Sequence, residues 1–202
     1  MSADSISRSL IYRGFRKCLR SRFGPQQADP LWQNANRHLA TLQAAHPGIT
    51  GDARMMILPA AALYTALREA APQEALPMLT AYGQQTGEKL SRIIHAFTCI
   101  PGVPQLLWRN MPALMRKMSS PDVGYTRRIV SETDELVAVD ILACPLHDAA
   151  IRLGLPEVAC VVCAMDKAYM TGFRHIRYTR TTSVAEGTEC CDYRLSYDKS
   201  KK

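Results

Sequence analysis

The stretch LVAVDILACPLHDAAIRLGLPEVACVVCAMD, residues 136–166, sets the architecture of the chain. Leu136 to Leu142 alternates apolar residues with period two, as a strand does. Pro145, a residue favoured at the first position of a helix, follows immediately. Gly154 can take the left-handed conformation of a C-cap, and Pro156 starts again. The reading is therefore a strand followed by two short helices in tandem. Cys144 falls at the strand end, at or near the helix N-cap, where backbone N–H groups and the helix dipole favour a thiolate. It is the first-choice nucleophile. On the second helix Cys160, Cys163 and Asp166 are three residues apart and share a face, so Cys163 and Asp166 can approach one reaction centre together.

Downstream, His175 to Thr182 reads as a strand, Ala185-Glu186-Gly187-Thr188 as the turn, and Glu189 to Tyr197 as the returning strand. Alternation puts Cys191, Tyr193 and Leu195 on one face and Cys190, Asp192 and Arg194 on the other. Cys191 is expected inside, in the company of Tyr193, Leu195 and Tyr197. Upstream, Tyr125 to Ser131 and Leu136 to Leu142 flank Glu132-Thr133-Asp134-Glu135 and form a hairpin. The expected fold is α+β: an N-terminal helical body, then an antiparallel sheet of about four strands with two short helices inserted between its hairpins.

The helical body reads from its breakers. Ser5 to Phe23 is a basic amphipathic helix ended by Gly24-Pro25, and its bland reading, a docking helix with a solvated basic face, outweighs a membrane-surface or transit role. Pro30 to Ala45, capped by Asp29, Asp52 to Ala71, and Gln73 to Phe97 are further helices. Gly83 and Gly87, one turn apart, allow a close backbone approach. Ile100 to Met118, with Pro101, Pro104 and Pro112, reads as a broken helix or a lid-like connection.

At 202 residues the chain is read as a single domain, with a mainly helical part (1–120), a sheet and cysteine-rich part (121–197) and a basic tail (198–202). Hydrophobic and charged contents of 47% and 21% are those of a globular protein, which excludes extensive disorder. The net charge of +7 favours anionic partners, but the basic residues are dispersed and no reading motif accompanies them, so no nucleic-acid partner is expected. No apolar run is long enough to span a bilayer, and no membrane partner is expected. Seven cysteines, an odd count without a signal peptide before them, point to a reducing cytoplasm rather than a disulfide framework. The sequence leaves a homo-oligomer open. Cys18, Cys99 and Cys160 are expected to be small buried hydrophobes.

The order and spacing of these pieces resemble the L-2-amino-thiazoline-4-carboxylic acid hydrolase family. The resemblance is carried by Cys144 ahead of a short helix, the Leu153-Gly154-Leu155-Pro156-Glu157 link, Cys163 with Asp166, Arg180-Thr181, Ala185-Glu186-Gly187, and Cys190-Cys191-Asp192-Tyr193. It is dense from Ala143 to Leu195, and Tyr193 departs from the Phe expected there. It implies hydrolysis of a small cyclic amidine carrying a carboxylate. Cys144, Cys163, Asp166 and Cys191 are the catalytic candidates. Arg180, Glu186, Gly187, Asp192 and Arg194 are the substrate-binding candidates, with an arginine fork for the carboxylate. No cofactor is expected. The alternatives are a zinc site on Cys144, Cys163 and Cys191 with Asp166 or His147 as fourth ligand, and a thiol redox sensor without hydrolysis.

Overall fold

The computed structural model describes residues 5–198, so the basic tail from residue 199 onward lies outside it. The chain divides into two compact units, Met1–Gly83 with Ala149–Val162, and Gln84–Asp148 with Cys163–Lys202.

The first unit is helical. A 3-10 turn at Ile6–Arg8 precedes α1 (Phe15–Ala45), in which Gly24 (φ 74°, ψ 161°) interrupts the helical path. The first helix thus begins later than Ser5, and Leu10 is 83% exposed. The break at Gly24-Pro25 falls where expected, but the helix resumes at once, so Asp29 is an interior residue and not a cap. Its carboxylate instead receives Arg16 and Arg20, and Arg22 pairs with Glu74. Helix α2 (Gly51–Ala70) runs through Pro59 and is buried from Ile57 to Tyr64. Helix α3 (Pro72–Thr98) matches its expected span within a residue. A Cβ at Gly83 would collide with the Val161 carbonyl oxygen, so the close approach there requires glycine.

The second unit holds the sheet. Strands β1 (Thr126–Glu132), β2 (Leu136–Ala143), β3 (Ile176–Thr179) and β4 (Cys191–Tyr197) lie in the order β1-β2-β4-β3, with every neighbouring pair antiparallel. Helices α5 (Pro145–Arg152) and α6 (Ala159–Tyr169) connect β2 towards β3, which is the expected α+β arrangement. β2 is central, and Val137, Val139 and Ile141 project into a core shared with Cys191 and Leu195. The segment expected to be broken or lid-like is one helix, α4 (Val103–Met118). Pro104 sits in its first turn, where a missing N–H leaves no bond unmade. Trp108, Met111 and Met115 bury its apolar face in the sheet core, and the Trp108 indole N–H donates to the Asp134 carbonyl at 2.7 Å.

β3 is shorter than expected at both ends. His175 adopts a left-handed conformation (φ 63°), so the strand starts at Ile176. After Thr179 the backbone leaves the ladder because the Asp192 carboxylate captures the Thr181 and Thr182 amides at 2.7 and 2.6 Å. A 3-10 turn at Val184–Glu186, closed by left-handed Gly187 (φ 83°), leads back to β4. None of the helices among the described residues is long and apolar enough to cross a membrane.

Candidate active site

Three thiols gather on the core side of the sheet, all within the second unit. Cys144 ends the run from β2 and immediately precedes α5. Its sulfur accepts hydrogen bonds from the backbone N–H groups of His147 and Leu146 and from the Tyr125 side chain. The expected N-cap geometry is therefore present, but its electrostatic consequence is not. Burial pushes the Cys144 thiol above its ordinary value, and these donors recover only part of that shift.

Cys163 lies on α6, and burial pushes its thiol up to about 12, against the opposing effects of Arg180 and a Ser183 hydrogen bond. Cys191 is buried at the start of β4 on the inward face that alternation assigned to it. Between these two thiols stands Ser183, itself 1% exposed, with its hydroxyl 3.8 Å from Cys163 Sγ and 3.7 Å from Cys191 Sγ. The Val184 amide donates to Cys191 Sγ at 3.4 Å. All seven cysteines are free thiols.

A buried ion pair adjoins the thiols. Arg180 Nη1 donates to Asp166 Oδ2 and to Tyr193 Oη, each at 3.1 Å, while Nη2 donates to the Cys163 carbonyl at 3.1 Å. The Tyr193 hydroxyl donates to the same Asp166 oxygen at 2.7 Å, and the Tyr169 side chain also bonds Asp166. The Arg180 guanidinium lies 5.5 Å from the Tyr193 ring centroid, a cation–π contact. Burial foremost, then the Asp166 charge, raises Tyr169 and Tyr193, so both hydroxyls stay protonated and act as donors. Tyr178, from β3, lies 5.7 Å from Tyr193 between ring centroids. Its hydroxyl oxygen is fully buried and has no hydrogen-bond partner among the described residues.

The other substrate-binding candidates lie elsewhere. Asp192 and Arg194 occupy the opposite face of β4. There Asp192 holds Thr181 and Thr182 through backbone and hydroxyl bonds, and Arg194 donates to Asp140 at 2.8 Å. Arg128 closes on the same Asp140 carboxylate at 2.7 Å. Glu186 and Gly187 are exposed on the turn before β4. His147 is half-buried, and its contribution at Cys144 is its backbone N–H. Among the described residues no group of three or more His, Cys, Asp and Glu is arranged to hold a metal ion. Cys18 and Cys160 are partly exposed and Cys99 is exposed, so the expectation of small buried hydrophobes does not hold for them.

Sequence reasoning missed Ser183, Tyr125 and Tyr178. Tyr125 opens the first alternating run and Ser183 follows the third expected strand, and at such ends period two does not say what a side chain meets. Tyr178 shares the β3 face of Ile176, which itself joins the core, and that was the available signal.

No curated protein matches the sequence. Among solved structures, the chain is similar to an Fe(II) unliganded H-NOX protein from K. algicida at 9% identity and a TM-score of 0.41, over 96% of this chain and 98% of that one. A point mutant of that protein matches at 11% identity and a TM-score of 0.39, over 94% and 96% of the two chains. Similarity at these scores does not define a shared fold or chemistry. The profile of the L-2-amino-thiazoline-4-carboxylic acid hydrolase family matches residues 52–195, a span that contains every residue of the thiol and ion-pair cluster. By that match over most of its length, the chain belongs to the L-2-amino-thiazoline-4-carboxylic acid hydrolase family.

Proposed function

We propose that the protein hydrolyses a small cyclic amidine of the 2-amino-thiazoline-4-carboxylate type to an N-carbamoyl amino acid, with Cys144 as nucleophile. The observation that carries this reading is the cradle of donors on Cys144 Sγ, from the His147 and Leu146 amides and the Tyr125 side chain, at the mouth of α5. Such donors stabilise negative charge as it develops on sulfur. At rest the half-buried Cys144 remains a thiol, so its activation must accompany substrate binding.

An amidine supplies the base. The Cys144 proton passes to the ring nitrogen as sulfur adds to the carbon between the ring sulfur and the two nitrogens. Collapse breaks the bond from that carbon to the ring sulfur, which takes a proton from nitrogen and leaves as the substrate's own thiol. An isothiourea remains on Cys144. Water adds to its carbon, the Cys144 thiol departs with one of the water's protons, and the carbamoyl group is complete. The sum is substrate plus one water.

Asp166, ringed by Arg180, Tyr193 and Tyr169, orients the amidine N–H groups as an acceptor. Of the two arginines considered for the carboxylate, Arg180 is assigned, because it stands beside Cys163 and Tyr193 while Arg194 is held by Asp140 on the other face. The test is mass-spectrometric detection of N-carbamoyl-cysteine after incubation with 2-amino-thiazoline-4-carboxylate. Product from the wild type, together with a trapped adduct on Cys144, is expected. Full product formation by a folded Cys144→Ala protein would remove covalent catalysis by that thiol.

A further inference from the structure

From Lys89 to Pro121 the chain carries five Lys or Arg residues and no Asp or Glu. This segment forms the last third of α3, the turn 99–102 and all of α4. It also holds a large share of the apolar side chains that the protein leaves in solvent. On α3, Leu90, Ile93 and Phe97 are 41%, 66% and 56% exposed, and their spacing of three and then four residues aligns them on one side of the helix. Ile100 at the turn and Leu106 in the first turns of α4 are 50% and 62% exposed.

The packed side of α3 is elsewhere on the helix. A Cβ at Gly87 would collide with the Met165 carbonyl, and Thr98 is buried and accepts the Arg174 amide at 3.1 Å. The apolar stripe is thus the outer face. Lys89 and Arg92 flank it, and Arg109 and Lys117 are exposed on α4, whose buried side is occupied by Trp108, Met111 and Met115. Arg116 is paired with Glu132 and is not counted towards the partner.

We propose that the outer face of α3 and the turn after it dock on an anionic phospholipid surface, the apolar stripe entering the headgroup boundary and Lys89 and Arg92 meeting the lipid charge. Exposed apolar side chains beside Lys89 and Arg92, with one acid, Glu88, preceding them on the helix, have the chemistry of an interfacial helix, which lies on a bilayer and does not cross it. Pairing with a second copy through the same face is disfavoured, because it would gather Lys89 and Arg92 of both copies in one interface. The inference does not depend on the thiol chemistry.

The experiment is vesicle co-sedimentation of the full chain with pure phosphatidylcholine and with phosphatidylcholine containing phosphatidylserine. Sedimentation with the second only, released by salt, is expected. The double substitution Ile93→Ser with Phe97→Ser should weaken binding by about tenfold or more, with the far-ultraviolet circular dichroism unchanged because both side chains are already in solvent. No binding to either vesicle, equal binding to both, or binding unaffected by the substitutions would each overturn the proposal. So would a dimer that the same substitutions dissociate, which would assign the stripe to a second copy.

Discussion

The two faces of β4 carry similar inventories and use them in opposite ways. Outward, Asp192 and Arg194 sit in saturated networks. Asp192 takes four bonds from Thr181 and Thr182, and Arg194 shares Asp140 with Arg128 across three strands, β1, β2 and β4. These bonds tie the path of the chain after β3 to the outer face of the sheet. Inward, the buried thiols make long, weak contacts around Ser183, and the Tyr178 hydroxyl meets nothing among the described residues. The outer network commits its charged groups to the path of the chain, while the inner face sets thiols and the Tyr178 hydroxyl beside the Arg180–Asp166 pair.

Cys144→Ala tests the inward face hardest. Turnover of an amidine substrate should fall by about 10³-fold or more with the fold intact, since in the proposed mechanism the sulfur forms the covalent bond. Equal turnover in the folded variant would dissolve the contrast between the faces. Asp166→Asn should lower turnover by about 10² to 10⁴-fold. It also leaves Arg180, whose side chain is 5% exposed, without a countercharge, so a loss of about 3 kcal/mol in stability should accompany it. Steady-state kinetics on the folded fraction, combined with urea unfolding, separates the two effects.

Asp192→Asn should do the reverse, leaving turnover of the folded protein nearly unchanged while lowering stability by about 1 kcal/mol. Burial alone would raise the Asp192 carboxyl, but its bonds from Thr181 and Thr182 outweigh that and hold it well below the usual carboxylate range. A depressed carboxyl contributes stability that is present above its ordinary value and is lost as pH falls towards its folded value. Thermal melts should therefore weaken below about pH 4, and less steeply in Asp192→Asn. An activity loss in that variant as large as in Asp166→Asn would mean the outer face belongs to the site after all.

Much of this contrast was legible before any coordinates. Pro145 after an alternating run located Cys144 at a strand–helix junction, and period two turned Cys191 inward and Asp192 outward. The destinations of Asp192 and Arg194 were not legible, because their partners lie on other elements, Thr181 and Thr182 past β3 and Asp140 on β2. Arg180 is a legible candidate for the substrate carboxylate, but its bond to Asp166 depends on how α6 and the segment after β3 meet, which no local pattern encodes. Prolines misled where position mattered more than presence. Pro104 in the first turn of α4 starts a helix that the sequence reading had broken. Asp29 ahead of Pro30 has the pattern of a cap, but Gly24 interrupts a helix that continues past it, so Asp29 lies in its interior.

The smallest expected effect is the most discriminating. In Tyr178→Phe a buried hydroxyl without a partner is removed and the ring beside Tyr193 is kept. Taking away an unsatisfied buried donor relieves a desolvation cost, so the melting temperature should stay level or rise slightly. Burial first, and then the Asp166 charge, keep that hydroxyl protonated and able to donate. If it bonds the substrate, the variant should lose about tenfold in kcat/KM, roughly one hydrogen bond, with no change in fold. A stability gain without a kinetic loss would make Tyr178 a packing residue. A kinetic loss without a stability loss is the signature expected of the unsatisfied face, and it is the combination that no residue on the Asp192 side should produce.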